Sequence, residues 1–138
     1  PGGFALFCPG TWTVRVGQCD VDTETVEISN RRPFAGVPPG EGAPDGLTVD
    51  AEGGLWSARW EGGRVVHYAP DGSVDQVIIM PVASPTSLAF GGPGLKDLYV
   101  TSARFGQTPA QLAATPLSGG LFRIRVEVGG QGAPEFGG

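Results

Sequence analysis

The residue with the most chemical promise is Asp45, held between Pro44 and Gly46 at the head of an apolar run. A carboxylate there can ligate a hard cation or act as a general base in a hydrolysis. Pro-Asp-Gly also closes ordinary turns, and spacing alone leaves both readings open. A hard cation such as calcium takes roughly six to eight oxygens, so one carboxylate is an incomplete site. Asp71 lies in a second Pro-Asp-Gly, between two apolar runs, and reads as a hairpin turn. Asp20, Asp22 and Glu24 resemble a fragment of a calcium loop. No glycine follows at the spacing such a loop needs, so a solvated turn is expected.

His67 is the only histidine and sits between Val66 and Tyr68, so no metal or catalytic role is expected of it. Cys8 is expected to be turned back by Pro9-Gly10 to lie next to Thr11, far from Cys19. Two free, reduced thiols then suit a cytoplasmic setting. Trp56 and Trp60 alternate with Ser57 and Arg59, as core-packing residues of a strand do. The chain contains no Gly-x-Ser-x-Gly elbow, no phosphate loop and no His-Glu-x-x-His.

These side chains need elements to position them. The 138 residues carry 9 basic and 14 acidic side chains, a net charge of −5, which disfavours a nucleic-acid or anionic-membrane partner. No apolar run approaches the ~20 residues of a membrane helix. No long stripe of 3.6-residue period supports a helical bundle. The 24 glycines and 13 prolines would raise suspicion of disorder, but 40% of residues are hydrophobic and they alternate with polar ones. A turn-rich, all-β protein is therefore expected.

Short apolar runs at 4–7, 11–16, 25–28, 47–49, 55–59, 65–68, 74–80, 87–90, 98–101 and 121–128 read as strands bounded by Gly, Pro or Asp. Residues 33–44 read as a Pro/Gly-rich connection. Residues 108–115 read as a long loop with one helical turn starting at Pro109. A weak repeat is present. Pro44-Asp45-Gly46-Leu47, Leu55-Trp56 and Gly63-Arg64-Val65-Val66 are echoed by Pro85-Thr86-Ser87-Leu88, Leu98-Tyr99 and Gly120-Leu121-Phe122. The offset starts at about 41 residues, within the period of β-propeller blades, and an insertion at 104–118 lengthens it. Two complete blades and most of a third are expected, too few to close a ring alone.

Several motifs in order and spacing resemble the regucalcin/gluconolactonase (senescence marker protein) family. They include Ile28-Ser29-Asn30-Arg31-Arg32, the run from Pro44 to Asp50 leading to Leu55-Trp56, and Gly63-Arg64-Val65-Val66 with Pro70-Asp71-Gly72. Further along come Pro85-Thr86-Ser87 with Phe90-Gly91-Gly92, Leu98-Tyr99-Val100-Thr101-Ser102-Ala103-Arg104, and Gly119-Gly120-Leu121-Phe122. The resemblance spans residues 12–138 and is to the C-terminal half of the family. It implies that residues 1–138 are half of a six-bladed propeller, with a divalent metal (Ca, Zn, Mn or Mg) in the channel and hydrolysis of sugar lactones. Of the family's metal ligands only the Asp of Pro-Asp-Gly is matched, by Asp45, which the resemblance makes both metal ligand and catalytic residue. Ser87, Ser102 and Arg104 become weak candidates for lining the substrate channel. Residues 4–10 depart from the family's pattern.

Two open flanks invite a homodimer that rebuilds the ring and points two Asp45 side chains at one channel. The expected function is a metal-dependent sugar-lactone hydrolase of impaired or lost activity. The alternative is a non-enzymatic binding or assembly module.

Overall fold

The computed structural model describes residues 4–10 and 13–132. It is all-β, with ten strands in three antiparallel sheets. Sheet 1 contains β1 (Phe4–Gly10), β2 (Arg15–Val21) and β3 (Ile28–Gly36). Sheet 2 contains β4 (Ala43–Val49), β5 (Leu55–Trp60), β6 (Arg64–Tyr68) and β7 (Val74–Ile79). Sheet 3 contains β8 (Pro85–Gly91), β9 (Asp97–Ser102) and β10 (Leu121–Arg125). Each sheet is a meander of neighbouring strands, joined by short connections except between β9 and β10. A short 3-10 helix, Pro93–Leu95, precedes β9, and one helix, α1 (Pro109–Ala114), lies in the insertion between β9 and β10.

The turns form where side chains can hold them. Asp22 Oδ1 accepts the backbone N–H groups of Glu24 and Thr25 at 2.8 and 2.9 Å. Asp71 Oδ1 accepts from Ser73 N at 2.9 Å, the hairpin role expected of it. Thr108 and Gln111 form a capping box at the start of α1.

The sheets stack through two cores. Phe7, Val16, Phe34 and Ala35 of sheet 1 pack on Leu55, Val66 and Tyr68 of sheet 2. Trp56, Ala58 and Val65 from the other face of sheet 2 pack with Leu88, Leu98, Val100, Phe122 and Ile124 of sheet 3. Trp56 is thus core, as its strand alternation implied. After β10 the chain returns to sheet 2, where Asp50 bridges Gly130 and Ala51 N donates to Gly129 O at 2.9 Å.

Three expectations need correction. Sheet 2 is the only four-stranded sheet among the described residues, so one complete set of four strands is present where two were expected. The stretch from Pro33 to Gly36 is the end of β3 instead of a connection. Proline is tolerated there because β3 is an edge strand and has one side on which no N–H is needed. The first hairpin turns at Thr13 and Val14, not at Pro9-Gly10, so β1 runs through Gly10 and β2 begins at Arg15. Residues 11 and 12 of the strand expected at 11–16 lie outside the described residues.

Candidate functional site

β4 and β8 begin alike. Each has a proline within its first two residues that is followed by a break in the ladder to the next strand: Pro44 opposes Arg59 and Leu47 opposes Ser57, while Pro85 opposes Ser102 and Ser87 opposes Thr101. In β4 the break leaves Asp45 and Gly46 facing a single residue of β5, which is a bulge. Bulges re-aim a side chain out of the pleat, and here the side chain is Asp45. Beside it Gly46 lies against the neighbouring sheet. A Cβ at Gly46 would stand 2.6 Å from Ser87 Cα and 2.6 Å from Ser87 Oγ. Asp45 is half-buried and makes no hydrogen bond or ion pair among the described residues. Burial pushes its carboxyl above the ordinary aspartate range.

Ser87 is therefore next to the residue that follows Asp45, and its hydroxyl is exposed. Ser102 is used elsewhere. Its hydroxyl donates to Gly120 O at 2.8 Å and accepts from Gly119 N at 3.0 Å, tying together the two ends of the insertion. Arg104 is exposed, its stem lies against Gly119, and its guanidinium has no carboxylate partner among the described residues. Ser87 and Asp45 thus share a neighbourhood, whereas Ser102 and Arg104 belong to the base of the insertion.

The donors do not complete a metal site. No group of three or more His, Cys, Asp or Glu side chains placed to hold a metal exists among the described residues. Asp45 brings one carboxylate, and the hydroxyls nearby are weak donors for a divalent cation. The residues present do not fit a resident divalent metal on their own.

A second polar cluster went unnoticed in the sequence. Asp50, fully buried at the end of β4, holds its Oδ2 2.8 Å from His67 Nε2 and accepts the Trp56 indole N–H at 3.0 Å. Its Oδ1 accepts from Glu52 N and Gly54 N at 3.0 and 2.8 Å. His67 Nδ1 lies 2.9 Å from Asp75 Oδ2, and the Trp56 ring stacks on the imidazole at 4.3 Å. Both ring nitrogens face carboxylates, so neither is open to a metal or substrate. The cluster braces β4, β5, β6 and β7. The only hint in the sequence was an aspartate four residues before Gly54 and six before Trp56.

Three stacked antiparallel sheets with a bulged carboxylate on a first strand define a propeller-like all-β protein. The chain belongs to the SMP-30/gluconolactonase/LRE-like family, whose model matches residues 2–104. It is 44% identical over 112 residues to L-arabinolactonase of Azospirillum brasilense, covering 81% of this chain and 37% of that protein. It is 46% identical over 97 residues to 6-deoxy-6-sulfogluconolactonase of Pseudomonas putida, covering 70% of this chain and 33% of that protein. The crystal structure of the calcium-binding protein regucalcin from Agrobacterium tumefaciens superposes with a TM-score of 0.87 at 31% identity, over 94% of this chain and 44% of that one. The chain spans less than half the length of these relatives. No helix among the described residues is long and apolar enough to cross a membrane.

Proposed function

We propose that this chain contributes Asp45 to the centre of a sugar-lactone hydrolase and that the chain alone has weak or no activity. The observation that carries the reading is the Asp45 carboxylate, bulged out of β4 and raised in pKa by burial. The class of substrate follows from the family and from the two relatives named as sugar lactonases. A raised carboxyl pKa makes a stronger base. Water adds to the lactone carbonyl while Asp45 takes its proton. The ring C–O bond then breaks, the ring oxygen is protonated, and a hydroxy acid leaves. With a divalent metal (Ca, Zn, Mn or Mg) bound, as the family resemblance implies, Asp45 would be one of its ligands and the cation would supply Lewis-acid chemistry.

The alternative, a non-enzymatic binding or assembly module, draws its support from Asp45 having no further ligand group beside it among the described residues. Lactone hydrolysis followed by base uptake at constant pH, with Ca²⁺, Mn²⁺ or Zn²⁺ added, separates the two. Hydrolysis that falls in Asp45→Asn supports the lactonase reading, and equal rates in the two proteins leave only the alternative.

For the assembly we propose a second copy, two sets of three sheets forming one ring. Support comes from the outward faces of sheets 1 and 3, which expose Phe4, Leu6, Ile28 and Leu121. Light scattering across a size-exclusion peak tests it: a dimer is expected, and a well-folded monomer at micromolar concentration rejects it.

A further inference from the structure

The register of β1 with β2 sets Cys8 opposite Gly17 and Cys19 opposite Leu6. The two cysteines are therefore diagonal neighbours, and their side chains stand on the same face of sheet 1. This overturns the expectation that they lie far apart, because the hairpin turns four residues later than the sequence implied. Their face points away from sheet 2, since the alternating residues Phe7 and Val16 pack into the core between the two sheets. Cys8 and Cys19 line one groove of about 390 Å³ together with Leu6, Ile28 and Arg31. Both thiols are free, Cys19 buried and Cys8 half-buried. Arg31 has no carboxylate partner among the described residues, so its charge is available to a negatively charged complex in the groove.

We propose that Cys8 and Cys19 form a two-sulfur site for a soft, thiophilic monovalent cation such as copper(I). Distances decide between this and a disulfide. A disulfide needs its Cα atoms within roughly 7 Å unless the backbone moves. Diagonal positions on an antiparallel ladder stand roughly 7–8 Å apart. Two metal–sulfur bonds of about 2.3 Å each make up the difference. Zinc is the wrong ion, because it takes about four ligands and no third His, Cys, Asp or Glu joins the pair among the described residues. Soft thiolate pairs select copper(I). Binding releases one proton from each thiol and leaves a complex of charge −1, which Arg31 offsets. Both sulfurs come from one chain, so the site depends neither on a second copy nor on the lactonase reading.

The test is an anaerobic titration of the chain with copper(I) delivered from a coloured competing chelator, with native mass spectrometry and light scattering on the products. One cation per chain is expected, with two protons released and both thiols shielded from alkylation. Cys8→Ser and Cys19→Ser should each lose the complex in competition with the chelator. Because Cys19 is buried, Cys19→Ala gives the same readout if the serine variant does not fold. Arg31→Gln should keep the fold and bind more weakly, because the charge of the complex is no longer offset. A complex that survives in either single-cysteine variant overturns the site, as does one cation shared by two chains. Quantitative closure of a Cys8–Cys19 disulfide under mild oxidant, with the fold unchanged, would also overturn it, by showing the sulfurs already in contact.

Discussion

Asp50 Oδ2 sits 2.8 Å from His67 Nε2 and 3.0 Å from Trp56 Nε1, joining the end of β4 to the middle of β5 and β6 through one oxygen. Gly54 permits this. A Cβ at Gly54 would collide with both His67 Nε2 and Asp50 Oδ2. The neighbouring Asp75 is 60% exposed, so the His67–Asp75 contact is solvent-screened and secondary. Asp50 is 0% exposed and satisfies four donors or ring nitrogens at once.

Asp50→Ala should therefore be among the most damaging single substitutions in sheet 2. It leaves the Trp56 indole, the Gly54 amide and His67 without a buried partner, a loss of about 3–5 kcal/mol. Asp75→Ala should cost less than about 1 kcal/mol. Urea denaturation of both variants checks the ordering, and equal losses would show that the network is centred on His67 instead of Asp50.

Gly46→Ala tests how closely the first strands of sheets 2 and 3 approach. The new methyl meets Ser87 Cα as well as its hydroxyl, both at 2.6 Å. Backbone has to move, and overpacking of this kind costs about 1–3 kcal/mol. Ser87→Gly should not rescue the variant, because the clash with Cα remains. A full rescue, read from thermal melts of the double variant, would mean that only the Ser87 side chain is in the way.

Part of this was legible in the sequence. The repeat between residues 44–66 and 85–122 was real, since Pro44 and Pro85 each lie at the beginning of a first strand and each precede a ladder break. Strand positions in sheets 2 and 3 followed from short apolar runs, continuous where both faces of sheet 2 are buried, with Gly or Asp marking the turns. Sheet 1 was less readable. Pro33 looks like a loop residue unless it is known to lie on an edge, and edges are set by tertiary neighbours. The Cys8–Cys19 relationship depends on register, and moving the turn by a few residues changes every cross-strand pair. In the Asp50 network the link to His67 spans 17 residues, and only the nearer spacings to Gly54 and Trp56 hint at it locally.

Asp45 predicts a pH effect with a definite sign. Burial raises its carboxyl pKa in the folded state, so folding favours the protonated form. Its contribution is most favourable below the ordinary aspartate pKa of about 3.9 and is lost as pH rises through the raised value. Asp45→Asn carries no charge at any pH. It should match the parent near pH 3 and exceed it at pH 7, by less than about 1 kcal/mol because the site is only half-buried. Asp20, Asp22 and Asp71 are held below the ordinary range by their hydrogen bonds and act in the opposite direction, but they are shared by both proteins and cancel. Chemical denaturation at the two pH values checks the difference, and a variant less stable at pH 7 than the parent would mean that Asp45 has a cationic partner.

Arg59 carries the boldest expectation for stability. It is 0% exposed on β5, facing sheet 1, with its guanidinium over the Tyr68 ring at 5.6 Å. Its Nη2 donates to Tyr68 Oη, while Nε and Nη1 have no partner among the described residues. Glu41, the nearby acid, is engaged by Arg64 at 3.2 Å. Burial pushes the Arg59 pKa down and the Tyr68 pKa up. A cation taken out of water without a carboxylate loses hydration that a phenol hydroxyl does not replace. Methionine has a similar length and no charge to desolvate, and Tyr68 keeps its own ring contacts with Phe34. Arg59→Met should therefore raise stability by about 1–3 kcal/mol, whereas Arg59→Ala should lower it by opening a cavity against Tyr68. Thermal melts of the two variants decide the matter: a destabilised methionine variant would reveal that the two orphan N–H groups have acceptors, such as ordered water, that make the buried charge worthwhile.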